Sequence, residues 1–327
     1  MSVERSVPAV AFAHVGGSGS WGFDYPRGVF GADQPLEVRR VDGPLVFETP
    51  YGPSPPFGLY ELHDRQTDAR RQYLRVWMHG LEPADELTAD DPYAATPMRA
   101  AEKVFSVLEQ AGTRWVLIDA SVGGINPLLD PWDLVISHDF IDDMKRVVRL
   151  GRHVSLSLRQ PYCPYLRRLL FEAAGEQLPR YTALAQQVAG RPIYPKIVKR
   201  GIYVCPDGPW FESPAQIRDY QQRGFDIVGK TVVPEVQLAR YIGVHFATIN
   251  PVVNPAEGIA DPDTGRVVPW SNADLATIYD HYGPTIAAML LSALARVDEA
   301  QGEGQQCECA ALRSLGGSSR FLRFIER

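Results

Sequence analysis

Short apolar runs that stop on glycine-rich or polar turns recur along the chain, each followed by a stretch with helical spacing, and this alternation is what most restricts the fold. Ala9 to Val15 is an apolar run ending in Gly16-Gly17-Ser18-Gly19, which predicts a buried strand and a tight turn. Further strands are expected at Val46–Thr49, Gly58–Leu62 and Tyr73–Met78, with an acidic, proline-containing surface loop between Glu82 and Pro97. Between Met98 and Gly112 the residues Ala101, Val104, Phe105, Leu108 and Ala111 fall on one helical face, and Trp115–Ile118 follows as a strand. That strand delivers Asp119-Ala120-Ser121-Val122-Gly123-Gly124 at its C-terminal end, the position at which open α/β sheets place their ligands.

The remainder follows the same rhythm. Strands are predicted at Asp133–Ser137, Gly201–Cys205 and Val244–Ile249, Asp226–Gly229 is a short apolar stretch, and helices are expected around Tyr165–Ala174, Ala215–Arg223 and Pro234–Tyr241. A last helix from about Asn272 to Ala300 carries Ile278, Ile286, Met289, Leu290 and Leu294, an apolar side long enough to cover the sheet and to reach a neighbouring subunit. With no repeat or linker, residues 1–327 are expected to form one α/β domain.

Composition narrows the function. With 33 Lys+Arg against 39 Asp+Glu the net charge is −6, which argues against nucleic acid as the main partner. The longest apolar run, Ile286–Ala295, is too short to span a membrane, and Met1–Arg5 does not open a signal peptide. A cytoplasmic enzyme is the expectation. Cys307-x-Cys309 lacks a nearby second Cys or His pair, so Cys163, Cys205, Cys307 and Cys309 read as reduced structural thiols and no metal is assigned.

Taken in order, Gly16–Gly19, Glu48–Ser54, Met78-His79-Gly80, Val122-Gly123-Gly124, Asp139–Asp142, Tyr203–Glu212, Gly229–Glu235 and Val253–Gly258 resemble the trimeric branch of the purine nucleoside phosphorylase family, most nearly its methylthioadenosine phosphorylases. The resemblance implies a single-domain α/β phosphorylase-type fold, with a mixed, partly barrel-like β-sheet flanked by helices. It also implies a homotrimer acting on a small-molecule purine nucleoside, without a cofactor. In this chemistry positive charge grows on the ribosyl ring and negative charge on the departing purine, so an anion belongs on one side and hydrogen-bond donors on the other.

By the same resemblance Phe211 stacks on the base, and Glu212 and Asn254 contact its edge. Ser18, Met78, Ser121, Val122, Gly123 and Thr231 fall at substrate-contacting positions. The plainer reading makes Glu212 a helix N-terminal carboxylate and Asn254 a turn residue.

The phosphate half departs from the family. Met78 stands where the family has arginine, Asp119 where it has threonine, and Lys230 where it has a ribose-contacting methionine. A carboxylate in that cradle repels phosphate. Lys230 is either the neutralising partner of Asp119 or a proton donor, nucleophile or anion ligand in its own right. Three functions follow. One is phosphate-independent N-glycosidic cleavage, an N-ribosyl hydrolase, with Asp119 as base and His79 and Ser18 orienting water. Another is a scaffold repurposed in a biosynthetic pathway for another flat substrate, acted on by Asp119 and Lys230. The third is a binding protein without turnover. Retained phosphorolysis requires another cation: Arg75, Arg99 or Lys230.

Overall fold

The computed structural model describes residues 6–17, 19, 23–78, 97–144, 157–208, 210–304 and 307–315. Its strands are β1 (Phe12–Gly16), β2 (Leu36–Leu45), β3 (Phe57–Asp64), β4 (Ala69–Trp77), β5 (Trp115–Asp119), β6 (Val122–Gly124), β7 (Leu134–Asp142), β8 (Ile197–Cys205), β9 (Ile227–Val228) and β10 (His245–Pro255). They form one mixed sheet in the order β2-β3-β4-β1-β5-β10-β6-β9-β8-β7. Because β10 also pairs antiparallel with β7, the last five strands close into a ring, the partly barrel-like sheet expected from the sequence.

Strands β4, β1, β5 and β10 run parallel, and β1, β5 and β10 are buried along their whole length. Parallel strands of this kind need cover on both faces. Alternate side chains supply the two cores: Trp115 and Leu117 join one cluster, Val116 and Ile118 the other. The first cluster is covered by α2 (Pro164–Ala189) and α5 (Asn272–Ala295), the second by α1 (Pro97–Gln110) and α4 (Glu235–Ile242). Helix α3 (Pro214–Gln222) packs Ile217 and Tyr220 into a third, smaller cluster with Val204 and Val228.

Several boundaries differ from those expected. Val46–Thr49 is not a strand; the chain is extended just before it, in β2, whose exposed Glu37, Arg40 and Asp42 break the apolar alternation of an edge paired on one side only. Helix α2 continues fifteen residues past Ala174, through Pro179, to a left-handed cap at Gly190. The last helix stops at Ala295; Asp298 then caps a separate short helix, α6 (Glu299–Glu303), and α7 (Cys309–Leu315) follows. The apolar residues Ile278, Ile286, Met289, Leu290 and Leu294 of α5 are buried within this chain, in the core shared with α2, so that face provides no argument for a subunit contact. The loop expected at Glu82–Pro97 lies outside the described residues, apart from Pro97 at the start of α1.

Candidate active site

A cleft opens just past the C-terminal end of β5, where β6 begins, beside the C-terminal end of β10. Ser121, Val122 and Gly123 form one wall, and Asn254 stands beside Gly123 on the neighbouring strand β10. Phe211, Glu212 and Lys230 line the far side. The order of turns along the sequence therefore brings together seven of the residues expected at the site.

Each is held by local chemistry. Ser213 caps α3 in a reciprocal capping box with Gln216, so Glu212, one residue earlier, is not used as the cap. The helix start instead points Glu212 at the cleft, where it is 6% exposed and pairs with Lys230, Nζ to Oε1 2.5 Å. Lys230 Nζ also donates to the Asp207 carbonyl at 3.3 Å. Asn254 is a strand residue rather than a turn residue, placed where the β10–β6 register shifts, and its amide donates to the Pro255 carbonyl at 2.7 Å. Phe211 remains 55% exposed and lines the cleft, its ring steeply inclined to that of Trp270 at a centroid separation of 5.1 Å. The Ser121 hydroxyl lies 2.6 Å from the buried hydroxyl of Tyr282.

Of the two readings of Lys230, its pairing with Asp119 is thereby corrected. Asp119 is 1% exposed, beneath the cleft rather than on its wall, and its partners come from the other end of the chain. Its Oδ1 is 3.1 Å from His14 Nε2, and its Oδ2 accepts the Gly17 amide proton at 3.1 Å. Side-chain alternation explains the cluster: His14, Arg75 and Asp119 follow Phe12, Tyr73 and Leu117 two residues on, so all three point to the α2/α5 side. Burial keeps the His14 imidazole below its ordinary value of 6.5 against the opposing pull of Asp119. A neutral His14 with its proton on Nε2 donates to Asp119 Oδ1 across that 3.1 Å contact. Arg75, 4% exposed, lies 3.8 Å over the Tyr25 ring and adds its positive charge to the same cluster.

The glycine turn is fitted to this arrangement. A Cβ on Gly17 would lie 2.0 Å from the Asp119 carbonyl oxygen, and one on Gly19 1.9 Å from the Tyr282 hydroxyl, so neither position admits a side chain.

Two further expectations change. Met78 is 2% exposed, packed in the α1/α4 core, and does not reach the cleft. Thr231 does not line it either; its amide donates to the Tyr203 hydroxyl at 3.2 Å. Ser18 and His79 lie outside the described residues. Sequence reasoning missed His14 and Tyr282, which pattern alone presents as one more position in a buried strand and in an apolar helix. It also left Cys307 and Cys309 without partners, whereas the fold brings Cys163 and His245 to them.

The phosphorylase superfamily model matches residues 76–295 of this chain. The chain belongs to that superfamily. Relatives include the "Probable 6-oxopurine nucleoside phosphorylase" of Moorella thermoacetica, 32% identical over 201 residues, which covers 60% of this chain and 67% of the relative. The S-methyl-5'-thioadenosine phosphorylase of Pyrococcus abyssi is 27% identical over 288 residues, 86% of this chain and 93% of the relative. Among solved structures, methylthioadenosine phosphorylase from Schistosoma mansoni in complex with adenine superposes with a TM-score of 0.65 at 19% identity, covering 96% of this chain and 100% of that one. At that identity the likeness speaks for the fold. The superfamily's α/β architecture, its mixed sheet and the ring at one end are those described above. Among the described residues, no helix is long and apolar enough to cross a membrane.

Proposed function

We propose that this protein cleaves the N-glycosidic bond of a purine nucleoside, or of a 5′-modified nucleoside of the methylthioadenosine kind, with water rather than phosphate as the acceptor. The observation that carries this reading is the Asp119 carboxylate on the Gly17 amide. By family resemblance the glycine turn and the end of β5 form the phosphate cradle, and here an internal anion already takes a donor of that cradle. A second anion brought beside it meets unfavourable Coulomb energy in a partly desolvated site. Water, which is neutral, does not.

The cations that could serve phosphorolysis already face carboxylates of this chain. Arg75, stacked on Tyr25 and Trp77, lies beside Asp119, Arg99 pairs with Glu102 at 2.7 Å, and Lys230 pairs with Glu212. The base side of the cleft is better furnished. Phe211 offers a stacking face, and the Lys230 ammonium can donate to a purine nitrogen as negative charge develops on the leaving group. Asp119, held below the cleft with His14, contributes negative charge that favours a positive ribosyl ring. Its place beneath the wall makes it an electrostatic and positioning residue more than the direct base expected from sequence.

The test is base release from inosine, adenosine and methylthioadenosine, with and without phosphate, together with identification of the sugar product. Equal rates and a free reducing sugar support the reading. A rate that saturates in phosphate with a sugar 1-phosphate product overturns it, as does inertness towards all three nucleosides.

A further inference from the structure

Far from the cleft, one sulfur each from Cys163, Cys307 and Cys309 and one nitrogen of His245 lie within 4.8 Å of one another. His245 opens β10 and Asn254 stands one residue before its end, nine residues further on, which in an extended strand is about 30 Å. Cys163 caps the N-terminus of α2, and Cys307-x-Cys309 leads into α7. The group is thus assembled from three distant parts of the chain, with Cys163 and His245 82 positions apart and His245 and Cys307 62 positions apart.

The geometry points to a structural metal site that binds one tetrahedral divalent ion of the zinc type through the thiolates of Cys163, Cys307 and Cys309 and the imidazole Nδ1 of His245. A tetrahedral ion with metal–sulfur bonds of about 2.3 Å and a metal–nitrogen bond of about 2.0 Å sets its ligand atoms some 3.5–3.8 Å apart. His245 Nδ1 is already 3.3 Å from both Cys163 Sγ and Cys307 Sγ. Three sulfurs and one imidazole is a donor set that selects a soft or borderline ion over calcium or magnesium.

The surroundings fit an ion rather than four unrelated buried groups. The His245 ring stacks on Trp115 with centroids 3.8 Å apart, which fixes its plane. Its second nitrogen, Nε2, has no hydrogen-bond partner among the described residues and faces Glu303 Oε1 at 3.6 Å. A carboxylate behind the imidazole is the arrangement that orients metal-ligating histidines. On the other side Arg240, 1% exposed, points Nη1 at Cys309 Sγ, 3.5 Å away. Three thiolates and a divalent cation carry a net charge of −1, and this buried guanidinium, which also meets Glu308 Oε2 at 3.4 Å, places positive charge beside it. Cys163 Sγ also accepts the Leu166 amide at the first turn of α2, a position that favours a thiolate. Cys205, the remaining thiol and also buried, stands outside the group and serves as an internal control.

The ion would fasten α7 to the start of the all-buried strand β10 and to the start of α2. The site is too distant from the cleft to take part in bond cleavage, so its loss should appear in stability before turnover.

The experiment is elemental analysis of protein purified without a metal-affinity step, followed by replacement of the bound ion with cobalt(II). The expected results are about one zinc per chain, a cobalt spectrum with the visible bands of a tetrahedral ion and a thiolate charge-transfer band, and a lower Tm after chelation. Cys309→Ser and His245→Ala should lose the ion, while Cys205→Ser keeps it. Absence of stoichiometric metal with no cobalt spectrum on titration of the reduced wild-type protein overturns the proposal. So does a peptide map of freshly isolated protein in which two of the three cysteines are joined as a disulfide. Both readouts use the unmodified chain and hold even if a variant fails to fold.

Discussion

Lys230 forms its ion pair with Glu212, Nζ to Oε1 2.5 Å, and both residues line the cleft beside Phe211. Asp119, the other unusual charge, is tied instead to His14 and the glycine turn. The two charges that depart from the family's pattern therefore serve different halves of the site. In the proposed reaction Lys230 would meet the negative charge of the leaving base, and Asp119 would stand where an anionic nucleophile otherwise sits.

Removing the ammonium alone should be worse than removing the pair. Lys230→Met leaves the Glu212 carboxylate, 6% exposed, without its cation. We expect a loss of about 1–3 kcal/mol in unfolding free energy, the discount from a fully buried pair reflecting that Lys230 is 31% exposed. Lys230→Met with Glu212→Gln should recover most of it. A denaturant double-mutant cycle checks this; additive losses would show that the two side chains are not coupled.

Phe211→Ala should weaken a purine ligand by about 1–3 kcal/mol, through loss of the stacking face. Because Phe211 is more than half exposed and touches Trp270 only edge to face, the fold should lose no more than about 0.5 kcal/mol. Calorimetric titration with adenine or hypoxanthine, beside a thermal melt, separates the two effects. Unchanged affinity removes Phe211 from the site.

His14 makes stability depend on pH in a definite direction. Its folded-state pKa is depressed below 6.5 mainly by burial, so just below that pH the unfolded chain binds a proton that the folded chain refuses. Stability therefore falls as pH drops through 6.5 and continues to fall until the depressed folded value is reached. One such group contributes at most about 1.4 kcal/mol per pH unit. His14→Gln, which keeps a donor for Asp119 but does not titrate, should flatten this fall between pH 7 and pH 5. Parallel Tm-against-pH curves for the two proteins would show that His14 is not the group responsible.

The parts of the fold that were legible in the sequence are those where burial imposes a simple rhythm. β1, β5 and the turns after them announce themselves because both faces are apolar and the stop is a glycine or a polar cluster. β2 does not, because an edge strand with solvent on one side has no need to alternate, and Pro179 hid the second half of α2. At the site, the turn residues, Phe211 and the pairs of unusual charges were visible one by one. Which charge meets which was not, since Asp119 finds His14 across 105 residues and Lys230 finds Glu212 across 18. The cysteine group was hidden for the same reason: its histidine reads, in sequence, as one more residue at the start of a buried strand.

The last prediction concerns the exchange of nucleophile. If the Asp119 carboxylate stands in for an anion on the glycine turn, phosphate should not stimulate the wild-type protein. Restoring the family's arginine by Met78→Arg should not change that. Met78 is packed in the α1/α4 core at 2% exposure, so the new guanidinium must either be buried there or displace the core. We expect about 3 kcal/mol or more of destabilisation and no gain in phosphate dependence. Asp119→Thr acts differently. It frees the Gly17 amide, removes the repulsion, and leaves the positive charge of Arg75 without its nearby carboxylate. In that variant water-dependent cleavage should fall, and a phosphate-stimulated component should emerge from a base rate near zero. The measurement is initial rate against phosphate concentration for wild type, Met78→Arg and Asp119→Thr, with the folded state of each checked by circular dichroism. Saturable stimulation of the wild type, or its restoration by Met78→Arg alone, would mean that another cation takes up phosphate despite Asp119 and that the internal carboxylate is no barrier to phosphorolysis.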